Sequence, residues 1–298
     1  MLEDVGVASH GAAWLAPIEA ATLAALDARG QAVGAELSED VPELRTEFSY
    51  GEGKAWAGTM ALTTPLLNLL SAEGKIVRGR PRGSWVSSQY RWVSRETWLP
   101  DDELSADETL LADPTPEGAQ AVLVRHWLRA FGPGTMADIK WWTGLPMGQV
   151  RRALASIEPV EVDLNGAPGL MLADDVAPYG AADSPRASEP WVALLPPLDP
   201  TPMGWAERDW FLGGYRSELF DRSGNIGPTV WCCRRVVGGW AQRRGGENDG
   251  VIVYRLFEDI GSEMTAAMES AVERLATLYG SVRATPRFRT PLERQLTA

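Results

Sequence analysis

Over the first hundred residues the spacing of apolar positions changes from helical to strand-like. From Trp14 to Arg29, Leu15, Ile18, Thr22 and Leu26 recur at helical spacing and Gly30 supplies a stop, which predicts an amphipathic helix. A short helix is expected over Gly34–Glu39, after which Pro42 and the polar run from Arg45 to Lys54 interrupt regular structure. The segment Met60–Ala72, with Leu62, Leu66, Leu67, Leu69 and Leu70, reads as a third helix that Pro65 either opens or kinks and Gly74 ends. Then Ile76–Arg78 and Trp85–Val93 read as strands around the turn-forming run Arg80, Pro81, Arg82, Gly83 and Ser84. Three helices followed by a hairpin is the element order of a winged helix, a helix-turn-helix with an appended β-ribbon.

The same order recurs further on. Pro116–Phe131 is expected to be a helix with Val122, Leu123, Trp127 and Ala130 or Phe131 on one face, closed by Gly132, Pro133 and Gly134. Thr135 and Asp138 have the spacing of a capping box for a helix carrying Ile139, Trp141 and Trp142, which Gly144 stops. Pro146–Ile157 forms a third helix, with Val150, Leu154 and Ile157 inward and Arg151 and Arg152 outward. Val160–Leu164, an Asn165–Gly166 turn and Leu170–Leu172 complete a second hairpin. After Ala177–Pro190, a linker by composition, strand-like runs at Trp191–Leu195, Thr229–Cys232, Val236–Ala241 and Val251–Leu256 predict a small antiparallel sheet or barrel. A long helix over 262–279 turns Met264, Met268, Val272, Leu275 and Leu278 or Tyr279 toward a core. The expectation is an α+β chain of two tandem winged-helix modules (1–98 and, with an acidic linker, 99–176) and a C-terminal antiparallel β-rich domain (177–298) with one long helix.

Charge is sorted along this pattern. The first hairpin, Lys75 to Arg95, carries Lys75, Arg78, Arg80, Arg82, Arg91 and Arg95 and no acid, with Trp85, Tyr90 and Trp92 interleaved. Such a mixture suits a polyanion, although arginines also keep an edge hairpin soluble. From Glu96 to Glu117 there are eight acids and no Lys or Arg, and the second hairpin carries Glu161 and Asp163. The net charge of −12 repels nucleic acid on average. Contact must therefore rest on patches that prevail within a Debye length, about 8 to 10 Å. The first hairpin meets that requirement, helped by Arg151, Arg152 and the C-terminal Arg287 and Arg289.

Composition excludes several classes of chemistry. Cys232 and Cys233 are adjacent, the wrong spacing for a metal or redox motif, and His10 and His126 have no ligand-spaced partner, so no metal and no cofactor is expected. Phosphate-binding loops, dinucleotide fingerprints and nucleophile elbows are absent. No uninterrupted apolar stretch reaches membrane-spanning length and the first residues do not resemble a signal peptide, which points to the cytoplasm, with the nucleoid as the expected association. Asp199 and Asp209 lie in the aromatic, proline-stiffened segment LLPPLDPTPMGWAERDW, where an acid could be desolvated. Asp199 is a weak catalytic candidate, and turn capping is the competing role. The thirteen tryptophans fit either thick cores or exposed aromatic surface.

VPELRTEFSYGEGKAW, GKIVRGRPRGSWVSSQYRW, LLPPLDPTPMGWAERDW, FDRSGNIGPTVW, RVVGGWAQ and TPRFRTPLER together resemble the winged-helix DNA glycosylase family of AlkZ-like and YcaQ-like bacterial proteins. The resemblance implies tandem winged helices capped by a β-rich domain around a DNA channel, and removal of alkylated or crosslinked bases by N-glycosidic hydrolysis. It also implies a Gln-hydrophobic-Gln or Gln-hydrophobic-Asp motif in an N-terminal module. None of Gln31, Gln89, Gln120, Gln149, Gln242 or Gln295 has Gln or Asp two residues on. Two expectations follow, that Met1 is a misassigned start or that the chain is a shortened homologue that binds without hydrolysing.

Three functional readings come from these features. The first is a DNA-binding winged-helix protein of glycosylase ancestry, gripping duplex DNA, damaged or not, through Lys75, Arg78, Arg80, Arg82, Trp85, Gln89, Tyr90 and Arg91. The second is an active glycosylase with Tyr90 or Trp85 as a stacking face. The third is a protein-interaction or transcription-regulatory module. A monomer is expected.

Overall fold

A computed structural model describes residues 9–54, 57–83, 87, 89–99, 115–180, 191–284, 286 and 288–298. It is a mixed α and β structure that divides into two compact units, Met1–Ala106 and Asp107–Ala298.

In the first unit, helix α1 (Gly11–Arg29) buries Ile18, Thr22 and Leu26, positions four residues apart on one face. Thr22 is admitted to the core because its hydroxyl donates to the Ile18 carbonyl at 2.7 Å. Gly30 closes the helix at φ 71°. Helix α2 (Gly34–Asp40) follows. The expected single helix over Met60–Ala72 is instead strand β2 (Gly58–Ala61) and helix α3 (Thr63–Ala72). Pro65 opens α3, within the first turn where a missing N–H costs no intrahelical bond. Strand β2 pairs with β1 (Glu47–Tyr50), so the run expected to lack regular structure contains the first strand of a hairpin. Phe48 is its buried residue. Strands β3 (Ile76–Pro81) and β4 (Tyr90–Ser94) form the basic hairpin, and the one-turn helix α4 (Arg95–Trp98) follows. Leu26, Leu37, Leu44, Leu66, Leu70, Ile76 and Trp92 share one core.

The second unit opens with α5 (Pro116–Phe131), α6 (Met136–Thr143) and α7 (Met147–Ile157). The Thr135–Asp138 capping box forms as expected. In α5 the buried residues include Val122, Val124, Trp127 and Leu128, while Leu123, expected inward, is exposed. Strands β5 (Val160–Leu164) and β6 (Ala167–Met171) pair across a two-residue turn in which Asn165 has φ 54° and Gly166 φ 95°, as a hairpin of this length favours. Because that turn places Ala167 opposite Leu164, β6 begins three residues earlier than expected.

Helix α8 (Ala173–Gly180) runs into the segment expected to be a linker. Strands β7 (Val192–Leu195), β8 (Thr229–Cys232), β9 (Arg235–Gln242) and β10 (Ile252–Leu256) then form an open antiparallel meander in spatial order β10-β9-β8-β7. Single helical turns α9 (Asp209–Leu212) and α10 (Arg216–Leu219) lie between β7 and β8. The long helix α11 (Gly261–Tyr279) joins a core with Val230, Val237, Trp240 and Ile252 through Met268. Of the alternatives at its end, Tyr279 packs inward and Leu278 is 81 % exposed. A second core of the sheet region gathers Phe211, Leu219, Phe220, Trp231, Val236 and Leu292, the last from α12 (Pro291–Leu296).

Many tryptophans serve to join these parts. Rings follow one another from Phe131 to Trp205 (5.4 Å between centres), Trp205 to Phe211 (5.8 Å) and Phe211 to Trp231 (5.3 Å), linking α5 to the sheet. Their polar edges are satisfied: the Trp205 indole N–H donates to the Phe131 carbonyl and that of Trp127 to the Gly204 carbonyl.

Candidate nucleic-acid interface

The basic hairpin alternates in burial along β3, with Arg78 and Arg80 exposed and Val77 and Gly79 half-buried. Gly79 is required by close approach, since a Cβ there would lie 2.8 Å from a Val93 methyl. At the tip, the Arg82 N–H donates to the Gln89 carbonyl at 2.7 Å. Trp85 lies outside the described residues.

The six cations of this hairpin are not equivalent. Lys75 donates to Glu73 at 2.7 Å and lies 3.4 Å from Glu19, and the bond to Glu73 holds its ammonium above the ordinary lysine pKa. Arg82 reaches Glu36 at 4.0 Å. Arg78 sits over the rings of Tyr90 and Trp92, 5.3 and 5.4 Å from their centres, and donates to the Asn68 side chain at 3.4 Å. Among the described residues Arg78, Arg80, Arg91 and Arg95 have no acidic partner. Tyr90 is 44 % exposed and offers a ring face beside Arg78. Gln89 is also exposed.

The remaining predicted positions do not converge on one visible cluster. Arg151 and Arg152 are exposed on α7, and Arg152 lines a groove of about 280 Å³ between α5 and α7 together with Arg125, Glu117, Gln120 and Ser156. Arg289 donates to the Thr297 hydroxyl at 2.8 Å, and Arg287 lies outside the described residues. The Asp199 carboxylate accepts the Thr201 N–H at 2.9 Å, an Asx-type turn just before the single 3₁₀ turn Thr201–Met203. Among the described residues no group of three His, Cys, Asp or Glu side chains is placed to hold a metal, and no helix is long and apolar enough to cross a membrane.

Sequence reasoning passed over a second cationic feature, around Arg208 and Asp138. Asp138 is 2 % exposed, and its two oxygens accept four donors: the Thr135 N–H and hydroxyl, and the N–H groups of Ala206 and Glu207. Arg208 is 3 % exposed, donates its Nε–H to the Trp205 carbonyl, and lies 4.4 Å from the centre of the Trp141 ring. Burial pulls the Arg208 pKa below the ordinary guanidinium value, Arg216 acts in the same direction and Asp138 opposes both. The signal was present in GWAERDW, where a charged residue sits between two tryptophans, but its surroundings come in part from a helix more than sixty residues earlier.

Comparison with curated proteins found no match. Among solved structures, the DNA glycosylase AlkZ of Streptomyces sahachiroi superposes with a TM-score of 0.62 at 19 % identity, over 88 % of this chain and 67 % of that one. At that identity the likeness concerns the fold. The family model described as DNA glycosylase AlkZ-like matches residues 4–278, most of the length, and the chain belongs to the AlkZ-like DNA glycosylase family.

Proposed function

We propose that this chain binds duplex DNA through the β3–β4 hairpin, in the manner of a winged helix, and that it descends from base-excising enzymes without carrying their hydrolytic step in the residues present. The observation that carries the binding reading is a set of arginines without acidic partners among the described residues, the exposed Arg78 and Arg80 and the half-buried Arg91, interleaved with Tyr90 and Trp92. Phosphate contacts of this kind position a protein on the duplex and carry no base information.

Two matching backbone features support the reading as tandem winged helices. Ala32, two residues before α2, exchanges both backbone hydrogen bonds with Trp92 of the first hairpin, at 3.0 and 2.7 Å. Gly134, two residues before α6, does the same with Leu170 of the second, at 3.1 and 2.8 Å. Each hairpin thereby gains a third, one-residue strand.

Hydrolysis needs a group that positions or activates water. No Gln-hydrophobic-Gln or Gln-hydrophobic-Asp sequence is present to fill the role the family resemblance implies, and Asp199 is engaged in a turn. The deciding experiment incubates the chain with alkylated and unmodified duplexes, measuring binding across salt concentrations and released base. Binding whose affinity falls with log salt at a slope of about −2 to −3, the value for two or three phosphate contacts, with no released base, is the expected result. Salt-insensitive or absent binding overturns the interface, and base release overturns the assignment of hydrolysis elsewhere.

A further inference from the structure

Arg208 is a buried cation with no acid bonded to it. Its guanidinium carbon lies 4.4 Å from the Trp141 ring centre and 5.2 Å from that of Phe220. The neighbouring carboxylate, Asp138, already accepts four hydrogen bonds, which fills the roughly four acceptor positions a carboxylate offers. A second guanidinium, that of Arg216, lies 5.2 Å from the same Phe220 ring centre. It is exposed, and among the described residues it too has no acidic partner. The two charges are therefore separated by no more than twice that ring distance.

A like-charged pair at an aromatic surface is unfavourable unless something compensates it. Asp138 acts on Arg208 from a distance without bonding it, and Glu207 and Asp209 flank Arg208 in sequence but form no ion pair with it or with Arg216 among the described residues. Trp141, whose ring the buried guanidinium overlies, is itself 45 % exposed. Planar guanidinium groups bind phosphate oxygens in pairs, and the ring contacts hold Arg208 in one orientation before any anion arrives.

We propose that Arg208 and Arg216 form a subsite for one phosphate group, with Trp141 as its wall. The choice of a nucleic-acid phosphodiester as the source rests on the DNA-binding reading above; the anion site itself does not.

The test uses the full chain labelled with ¹⁵N-arginine, following the Nε–H resonances of Arg208 and Arg216, assigned from Arg208→Lys and Arg216→Gln. The probes are inorganic phosphate, dimethyl phosphate and a 12-base-pair duplex. Both resonances are expected to move saturably with dimethyl phosphate and with the duplex. Arg216→Gln, at an exposed position, is expected to weaken both interactions about tenfold, the scale of one charge-assisted hydrogen bond, and to lower the duplex salt slope by about 1. If no probe moves Arg208, the subsite is overturned. If dimethyl phosphate and inorganic phosphate move it but the duplex does not, the nucleic-acid source is overturned and a free anion takes its place. If Arg78→Ala with Arg80→Ala abolishes duplex binding while Arg216→Gln changes nothing, the subsite fails and the hairpin interface stands. If the wild type binds no duplex and phosphate still moves Arg208, the interface fails and the subsite stands.

Discussion

Asp138 accepts the backbone N–H of Ala206 at 2.9 Å, joining two points 68 residues apart in the chain. The same side chain completes the capping box of α6. One carboxylate thus takes up the Thr135 N–H and hydroxyl at the start of the helix and pins the tryptophan-rich loop beside it. Removing it leaves several buried donors without partners. Asp138→Ala is expected to destabilise the unit spanning Asp107–Ala298 by about 2 to 5 kcal/mol, and Asp138→Asn, which keeps one accepting oxygen, by less. Thermal unfolding of the two variants against wild type checks the order.

Gly238 and Gly30 should respond differently to the same methyl group. At Gly238, in β9, a Cβ would fall 2.2 Å from the carbonyl oxygen of Arg255 on β10. That oxygen is backbone and cannot retreat without opening the ladder that pairs Gly238 with Leu256. Gly238→Ala is therefore expected to cost about 3 kcal/mol or more, or to yield insoluble protein. At Gly30 nothing lies within 4 Å, and only the φ of 71° opposes a side chain. Gly30→Ala should cost about 1 kcal/mol, read from denaturant midpoints.

Glu293 gives a pH dependence of definite sign. It is 2 % exposed, and burial raises its carboxyl pKa above the ordinary 4.5 despite the hydrogen bonds from Thr290. Between the unfolded and folded values the native state holds the extra proton, so stability falls as pH rises through that interval. Glu293→Gln has no such proton, and its amide oxygen can still accept from the Thr290 N–H. Its stability relative to wild type is expected to improve as pH rises from about 4 upward, then to level off. Unfolding curves for both proteins across that range measure it; a constant difference refutes the assignment.

Counting cations along the hairpin exaggerates its pull. Lys75 is already bonded to Glu73 and close to Glu19, so Lys75→Ala should leave duplex affinity within about twofold. Arg80 makes no ion pair among the described residues, and Arg80→Ala should weaken binding to all sequences alike and reduce the salt slope by about 1. Fluorescence anisotropy at several salt concentrations compares the two.

Local chemistry along the chain made much of this architecture readable in advance. Thr135 with Asp138, Asn165 with Gly166, and Pro116–Phe131 carry their own start, stop and turn signals within a few residues. The hairpin β1–β2 was not readable because each strand is four residues long and Phe48 is its buried hydrophobic side chain, too little for an alternation to register. Helix α12 was not expected, although Thr290-Pro291-Leu292-Glu293 is a capping box with proline in the first turn. The candidate site was legible as a concentration of arginine and not as a distribution of free charge. Glu19, which faces Lys75, is 56 residues away in sequence, and spacing rules do not reach that far. Arg208 escaped for the same reason, since Trp141 and Phe220 come together only in the fold.

The paired bridges Ala32–Trp92 and Gly134–Leu170 involve main-chain atoms alone. The residues that make them differ between the two halves, alanine with tryptophan in one and glycine with leucine in the other, although at Gly134 a Cβ would lie 2.4 Å from the Trp127 ring. A likeness written in peptide groups is invisible to any comparison of letters. It also leaves both hairpins free to change their charge, one toward arginine and the other toward acid, without loosening the joint at their base.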